Sequence, residues 1–426
     1  MAEGEIIYLD NNATTPLDPA VIEEMLPFLT KYYGNPSSGY GFAATARKAI
    51  NLARERLAAL LGCEPAEIVF TSGGTESNNA VIHSALQLQA RSKPPTGAIR
   101  GGEHLVTSAV EHSAVLRPCQ DLAKGGCDVT FLGVDEHGNL DVAELEAAIR
   151  PGTVLVSIMW ANNETGVVFP IEKIAEICRD KGVLFHTDAV QATGKIPMRL
   201  RDIPINFLSL SAHKFHGPKG VGALYVSRQT RFAALIAGGG QENGRRGGTE
   251  NVASIVGLGK AAELALKYLA EGKCNSRPMR DRFEKSVLEA VSGASVNGAD
   301  AVRLPNTSSL SFEGIESSSA LLLLDRQRIC CSAGSACRTG SQEASHVLRA
   351  MNPSSDGARR SLRFSFGRFN TDAQIDTAIE VVPTVIQKLR QSSVPTLREQ
   401  GAQIQKLSTQ IESNNAQPRV VLNDQR

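Results

Sequence analysis

Residues 67–86, EIVFTSGGTESNNAVIHSAL, begin as an apolar, partly β-branched run, break at two glycines, and resume with Val81, Ile82 and Leu86 at helical spacing. That succession reads as a strand, a tight turn and a helix N-terminus. The unpaired backbone N–H groups of such a terminus, its dipole and the hydroxyls of Ser72 and Thr75 suit a phosphate group. Taken alone, the segment reads first as an ordinary turn with Ser72 or Thr75 as the helix N-cap.

The same alternation continues on both sides of it. Strand patterns fall at 67–71, 104–107, 129–132, 154–159, 183–187, 207–210 and 222–226, with helical patterns between them. This is an α/β chain built on a mainly parallel sheet. Residues 45–61 place Ala49, Leu52, Ala53, Leu57, Leu60 and Leu61 on one helical stripe, and Gly62 stops it. After residue 250 the texture changes to helices near 251–271 and 279–292, short strand-like pieces (TSSLSF, RRSLRFSF) and a helix near 371–390, a second and smaller α+β unit. Residues 91–102 read as a surface loop. After Pro395 the chain turns polar, with Leu397, Ile404, Leu407 and Ile411 at heptad-like spacing, and reads as a short docked helix and a loose tail.

The 426 residues allow two or three domains. Lysine and arginine total 45 against 44 acidic residues, a net charge of +1 that argues against nucleic-acid and anionic-membrane binding. No apolar run approaches the roughly 18–20 residues of a membrane span. The start, MAEGEIIYLDNNATTP, has no basic leader or apolar stretch, so a cytoplasmic protein is expected. The eight cysteines form no zinc-type double pair, and no metal site is expected.

Two more strand ends carry chemistry. The run 183–189 (VLFHTDA) delivers Asp188, and 206–215 (NFLSLSAHKF) delivers Ser211, His213 and Lys214. In a parallel sheet the ligand crevice lies beyond the carboxyl ends of the strands, so these residues and the glycine turn converge there. A lysine at a buried strand end calls for a lowered pKa or a Schiff base. An aspartate for a protonated pyridine nitrogen and a helix terminus for a phosphate complete the requirements of pyridoxal phosphate. Each residue has a plainer role available: Lys214 reaching solvent, Asp188 capping the next helix, His213 satisfying a backbone carbonyl.

The chain resembles the cysteine desulfurase family of class V aminotransferase-fold enzymes, nitrogen-fixation and iron–sulfur-cluster type. The matching segments are YLDNNATTP (8–16), GNPSS (34–38), FTSGGTESNN (70–79), VEHSAV (110–115), ANNETGVV (161–168), HTDAVQATGK (186–195), SAHKFHGPKGVGALY (211–225), GGGQENGRRGGTEN (238–251), SAGSACRTGS (332–341) and LRFSFGRF (362–369). The resemblance implies an aspartate aminotransferase-like fold. Its large domain at 15–261 holds a seven-stranded sheet, and its small α+β domain spans 262–395. The segment 1–14 would pack on the small domain, with a tail at 396–426. By the same resemblance Lys214 is the Schiff-base lysine and moves the substrate α-proton, Asp188 holds the pyridine nitrogen, and His112 stacks on the ring and assists proton transfer. Asn163 and Gln191 contact ring substituents. Gly74, Thr75, Ser211 and His213 bind the phosphate, and Thr249 reaches it across a homodimer interface. Arg363 takes the substrate carboxylate, with Asn163 also at the substrate.

Cys337 matches the family's nucleophile, in CCSAGSACRTGS, whose small residues suggest a mobile loop. It would take sulfur from L-cysteine as a persulfide, releasing L-alanine, and pass it to an acceptor or iron–sulfur scaffold protein. Cys330 and Cys331 are rivals expected to be buried. Arg338 and Ala333 depart from the usual pattern and bear on acceptor preference. Alternatives on the same fold are a selenocysteine lyase and a true aminotransferase; a non-catalytic sulfur-trafficking scaffold is the alternative from another class.

Overall fold

The structure is a computed structural model and describes residues 5–91, 103–272, 276–333, 344–352 and 356–391. The first strand, β1 (Ile7–Tyr8), is short and leads into the large unit. There seven strands form one sheet: β2 (Ile68–Thr71), β3 (His104–Ser108), β4 (Asp128–Leu132), β5 (Thr153–Ser157), β6 (Leu184–Asp188), β7 (Phe207–Ser211) and β8 (Gly222–Val226). They lie in the order β2-β8-β7-β6-β5-β3-β4, and only β8 runs antiparallel to its neighbours. Every residue of β2, β3, β5, β7 and β8 is buried, as expected of strands covered on both faces, and this is why they read as continuous apolar runs.

The helix Gly41–Leu61 buries Ala43, Ala46, Ile50, Ala53, Leu57, Ala58, Leu60 and Leu61. The expected stripe fails at Leu52, which is 44% exposed. Ile50 takes the core position, and two residues along a helix point to nearly opposite sides, so both cannot face the core. The helix Val252–Ala270 packs on this one and is continuous through residues 261 and 262, with Ala262 and Ala265 in the large core. A division at 261/262 would cut a helix, and we propose to draw the large unit to residue 270.

The smaller unit is built on an antiparallel sheet of β9 (Ala294–Val296), β10 (Thr307–Phe312) and β12 (Ser361–Ser365), with β10 central. The helix Arg277–Ala290 and a helix over 372–391 pack on it through Phe283, Val287, Ile375, Ala378 and Val382. Ile7 and Leu9 belong to that core, and β1 pairs in parallel with β11 (Ile329–Cys330). On β12, Leu362 and Phe364 enter this core. Strand alternation therefore turns Arg363 the other way, toward the large unit. No helix among the described residues is long and apolar enough to cross a membrane.

Candidate active site

Strands β6 and β7 are parallel neighbours with Asp188 opposite Ser209. Asp188 thus ends β6 beside the turn Ala212–Lys214 that directly follows β7. A cavity of about 420 Å³ opens at this carboxyl edge. Its lining includes Gly74, Thr75, His112, Asn163, Asp188, Gln191, Ser211, His213, Lys214 and Arg363. Elements from the whole length of the chain meet there.

Asp188 is buried, and its Oδ2 accepts from Asn78 Nδ2 at 2.7 Å while Oδ1 accepts from Val190 N–H at 3.0 Å. It therefore caps its own turn and lines the cavity at once. Lys214 Nζ donates to the carbonyl oxygens of Asn12 and Ala13, both at 2.7 Å. His112 is the N-cap of the helix Ser113–Lys124, with Nδ1 accepting from Ala114 N–H at 3.2 Å. In the neutral ring that contact leaves the proton on Nε2. His213 Nδ1 pairs with Thr14 Oγ1 at 3.1 Å, and burial together with the Lys214 and Lys219 charges lowers its pKa to about 4, so the ring is neutral at pH 7.

Gly74 opens the helix Gly74–Arg91 at the cavity wall. A Cβ there would lie 2.7 Å from Val190 Cγ2, so only glycine lets this terminus approach the Asp188 turn. A Cβ at Gly222 would lie 2.4 Å from the Leu210 oxygen and 2.7 Å from Gly73 Cα. Its absence lets the glycine turn settle against β7.

Arg363 is 2% exposed. Its Nη1 donates to the Asn163 oxygen at 2.8 Å and its Nη2 to Asp10 Oδ1 at 2.7 Å, but Nε has no acceptor. An unsatisfied buried donor costs about 1–3 kcal/mol. The lining fits pyridoxal phosphate and an amino-acid substrate: a helix terminus for a phosphate, a carboxylate for a ring nitrogen, an amine, and a guanidinium for a carboxylate.

Thr249 is not brought to this cavity. It is exposed, in a segment fastened to the edge strand by Glu242, whose carboxylate takes Arg54 at 2.7 and 2.8 Å and Phe70 N–H at 3.0 Å. Arg246 of the same segment pairs with Glu76 at 2.9 Å. Cys337 and Arg338, residues 92–102 and the tail 396–426 lie outside the described residues. Cys330 and Cys331 are half-buried, less than expected, and burial pushes both thiols upward, with Asp325 acting on Cys330 and Asp10 on Cys331. On either side of the Cys337 segment, Ser332 Oγ donates to Asp10 Oδ2 at 2.8 Å, and Ser345 Oγ donates to Glu164 Oε2 at 2.5 Å.

The sequence reading missed Asp10, Asn12, Asn78, Glu111 and Lys195. All five lie inside the quoted segments, and Lys195 stands four residues after Gln191, a spacing that was legible.

Glu111, beside His112, is fully buried; its Oε1 accepts from Ser108 Oγ and Met159 N–H, and Oε2 has no partner. Burial raises its pKa to about 8, against the Met159 hydrogen bond and with the help of the Asp188 charge. Between the ordinary glutamate value and 8 the folded state holds a proton that the unfolded chain releases, so stability falls as pH rises through this window. Glu111→Gln, an isostere of the neutral acid, should remove that slope. We expect it to match the parent near pH 4.5 and to exceed it above pH 8 by up to a few kcal/mol, on the order of 1.4 kcal/mol for each pH unit the window spans. Urea midpoints at the two pH values check this, and parallel pH dependence in both proteins would refute it.

The class-V aminotransferase family matches residues 7–377. The cysteine desulfurase of Nostoc sp. is 50% identical over 385 residues, covering 90% of this chain and 94% of the relative. That of Gluconacetobacter diazotrophicus is 52% identical over 389 residues, covering 91% and 95%. Among solved structures, a NifS-like protein superposes with a TM-score of 0.82 at 36% identity, covering 90% of this chain and all of that one. With half its residues shared across nearly the full length of these relatives, and a cavity that gathers the family's motif residues, the chain belongs to the cysteine desulfurases of the class-V aminotransferase family.

Proposed function

We propose that the chain is a pyridoxal phosphate-dependent cysteine desulfurase that converts L-cysteine to L-alanine and transfers the sulfur to Cys337 as a persulfide, for delivery to an acceptor protein. The observation that carries this reading is that Lys214, Asp188, the Gly74 helix terminus and Arg363 line one cavity. When bound, the cofactor supplies an electron sink next to the substrate α-carbon. Gly74, Thr75, Ser211 and His213 would hold its phosphate, Asp188 its ring nitrogen, His112 its ring face, and Asn163 and Gln191 its ring substituents. Arg363 would bind the substrate carboxylate with a planar fork that lysine lacks.

Lys214 Nζ would take the α-proton and return it. In the transfer itself the substrate C–S bond breaks, its electron pair stays on carbon and is protonated, and the sulfur forms an S–S bond with the Cys337 thiolate. L-cysteine and one thiol give L-alanine and one persulfide, so the step balances without an outside oxidant.

A homodimer belongs to the same reading. On the helix Pro19–Thr30, Ile22, Leu26 and Leu29 form one apolar face and are 47%, 54% and 64% exposed. Tyr33 and Phe42 continue it with rings 5.2 Å apart. We infer that a second copy covers this face; by the family resemblance its Thr249 would reach the neighbour's phosphate.

The test is an absorption spectrum of the purified chain with pyridoxal phosphate, before and after L-cysteine, followed by mass analysis of the Cys337 peptide. A near-visible band, L-alanine and one added sulfur are expected. A colourless protein would mean a non-catalytic scaffold, and faster turnover of selenocysteine would reassign the substrate.

A further inference from the structure

Lys195 and Lys214 both bond to Asn12. Lys195 Nζ donates to Gln191 Oε1 at 2.7 Å and to Asn12 Oδ1 at 2.9 Å. Burial and the neighbouring Lys214 and Arg363 charges favour its neutral form, and a neutral amine still has the two N–H groups that these bonds need. Asn12 is a junction for both lysines. Its backbone oxygen accepts from Lys214 Nζ and from Gln191 Nε2, and its Oδ1 accepts from Lys195 Nζ and from Asn306 Nδ2 at 3.0 Å. Its Nδ2 donates to Thr307 Oγ1 at 2.9 Å, which settles the orientation of its own amide.

The Gln191 amide is therefore held from both ends. Turned over, it would give up the bond from Lys195 Nζ to Oε1 and set Oε1 against the Asn12 oxygen. One of its N–H groups is used by Asn12, and Gln191 itself lines the cavity. We propose that Lys195 is a positioning residue that fixes Gln191 as a hydrogen-bond donor into the cavity, so that Gln191 serves an anionic oxygen on the ring of the bound cofactor. Without the Lys195 contact only the Asn12 oxygen opposes the turned amide, which would present its carbonyl oxygen to that anion.

The inference rests on the pyridoxal phosphate reading, and a parent chain that stays colourless with the cofactor overturns that reading before any variant is needed. With the parent loaded, the readouts are the pH midpoint of the near-visible band and the cofactor dissociation constant, neither of which is an activity. Lys195→Met should move the midpoint up by about one pH unit and weaken cofactor binding about 10-fold, the size of one lost hydrogen bond to a charged group. Because Lys195 acts through Gln191, the same change should do little in a Gln191→Leu background. Gln191→Glu keeps the shape and the Lys195 contact but cannot donate, and should shift both readouts at least as far. It tests the donor role of Gln191, and Lys195→Leu, which also lacks the donor to Gln191, tests the positioning role if Lys195→Met fails to fold. An unchanged midpoint in Lys195→Met, in Lys195→Leu or in Gln191→Glu, or an equal shift in the Gln191→Leu background, overturns the proposal.

Discussion

Lys214→Ala should abolish L-alanine formation from L-cysteine, with a loss of at least about 10³-fold, because both the amine that binds the cofactor covalently and the base that moves the α-proton disappear. Asp188, Ser211 and the Gly74 helix terminus remain in place, so the cofactor should still enter but wash out on dialysis, and the near-visible band of the parent should be lost. The fold should survive. Removing Nζ takes one donor from the Asn12 oxygen, which Gln191 Nε2 still serves at 3.0 Å, and leaves the Ala13 oxygen at a cavity where water can replace the lysine. A destabilisation of about 1–3 kcal/mol is expected, well short of unfolding. Retention of the parent's band through dialysis would remove Lys214 from the centre of the mechanism.

Cys337→Ser should have the second largest effect, of a different kind. The band and the spectral response to L-cysteine should persist, since none of the described lining residues is altered, while alanine turnover falls by about 10²-fold or more for want of a thiolate to accept sulfur. Mass analysis should find no added sulfur. Cys330→Ser and Cys331→Ser are the controls: both thiols are pushed upward by burial, which disfavours the thiolate, and both variants should turn over like the parent. Loss of turnover in Cys331→Ser with Cys337→Ser active would transfer the nucleophile to Cys331.

Much of the architecture was legible because it is written in local periods. All seven large-sheet strands stand within two residues of where β-branched and apolar runs predicted them, since strands of a covered sheet are rich in such residues. The glycine turn at 72–75 was visible as composition, and the structure adds the reason: at Gly74 a side chain would strike Val190. The helix stripe at 45–61 shows where a period stops being informative. The sequence contains two overlapping apolar rows, and the packing of the large core decides that Ile50 is covered and Leu52 is not.

The chain by itself determined the fold class, the strand ends that bear Asp188 and Lys214, and a family resemblance spread over ten segments, because these depend on residue type and on spacing along the backbone. The tertiary structure alone decided the pairings between distant segments: Arg363 on Asp10, 353 positions away, Lys195 on Asn12, and Asn78 on Asp188. A buried polar atom takes whichever partner the packed core brings within hydrogen-bond distance, and a one-dimensional pattern carries no record of which segment that will be.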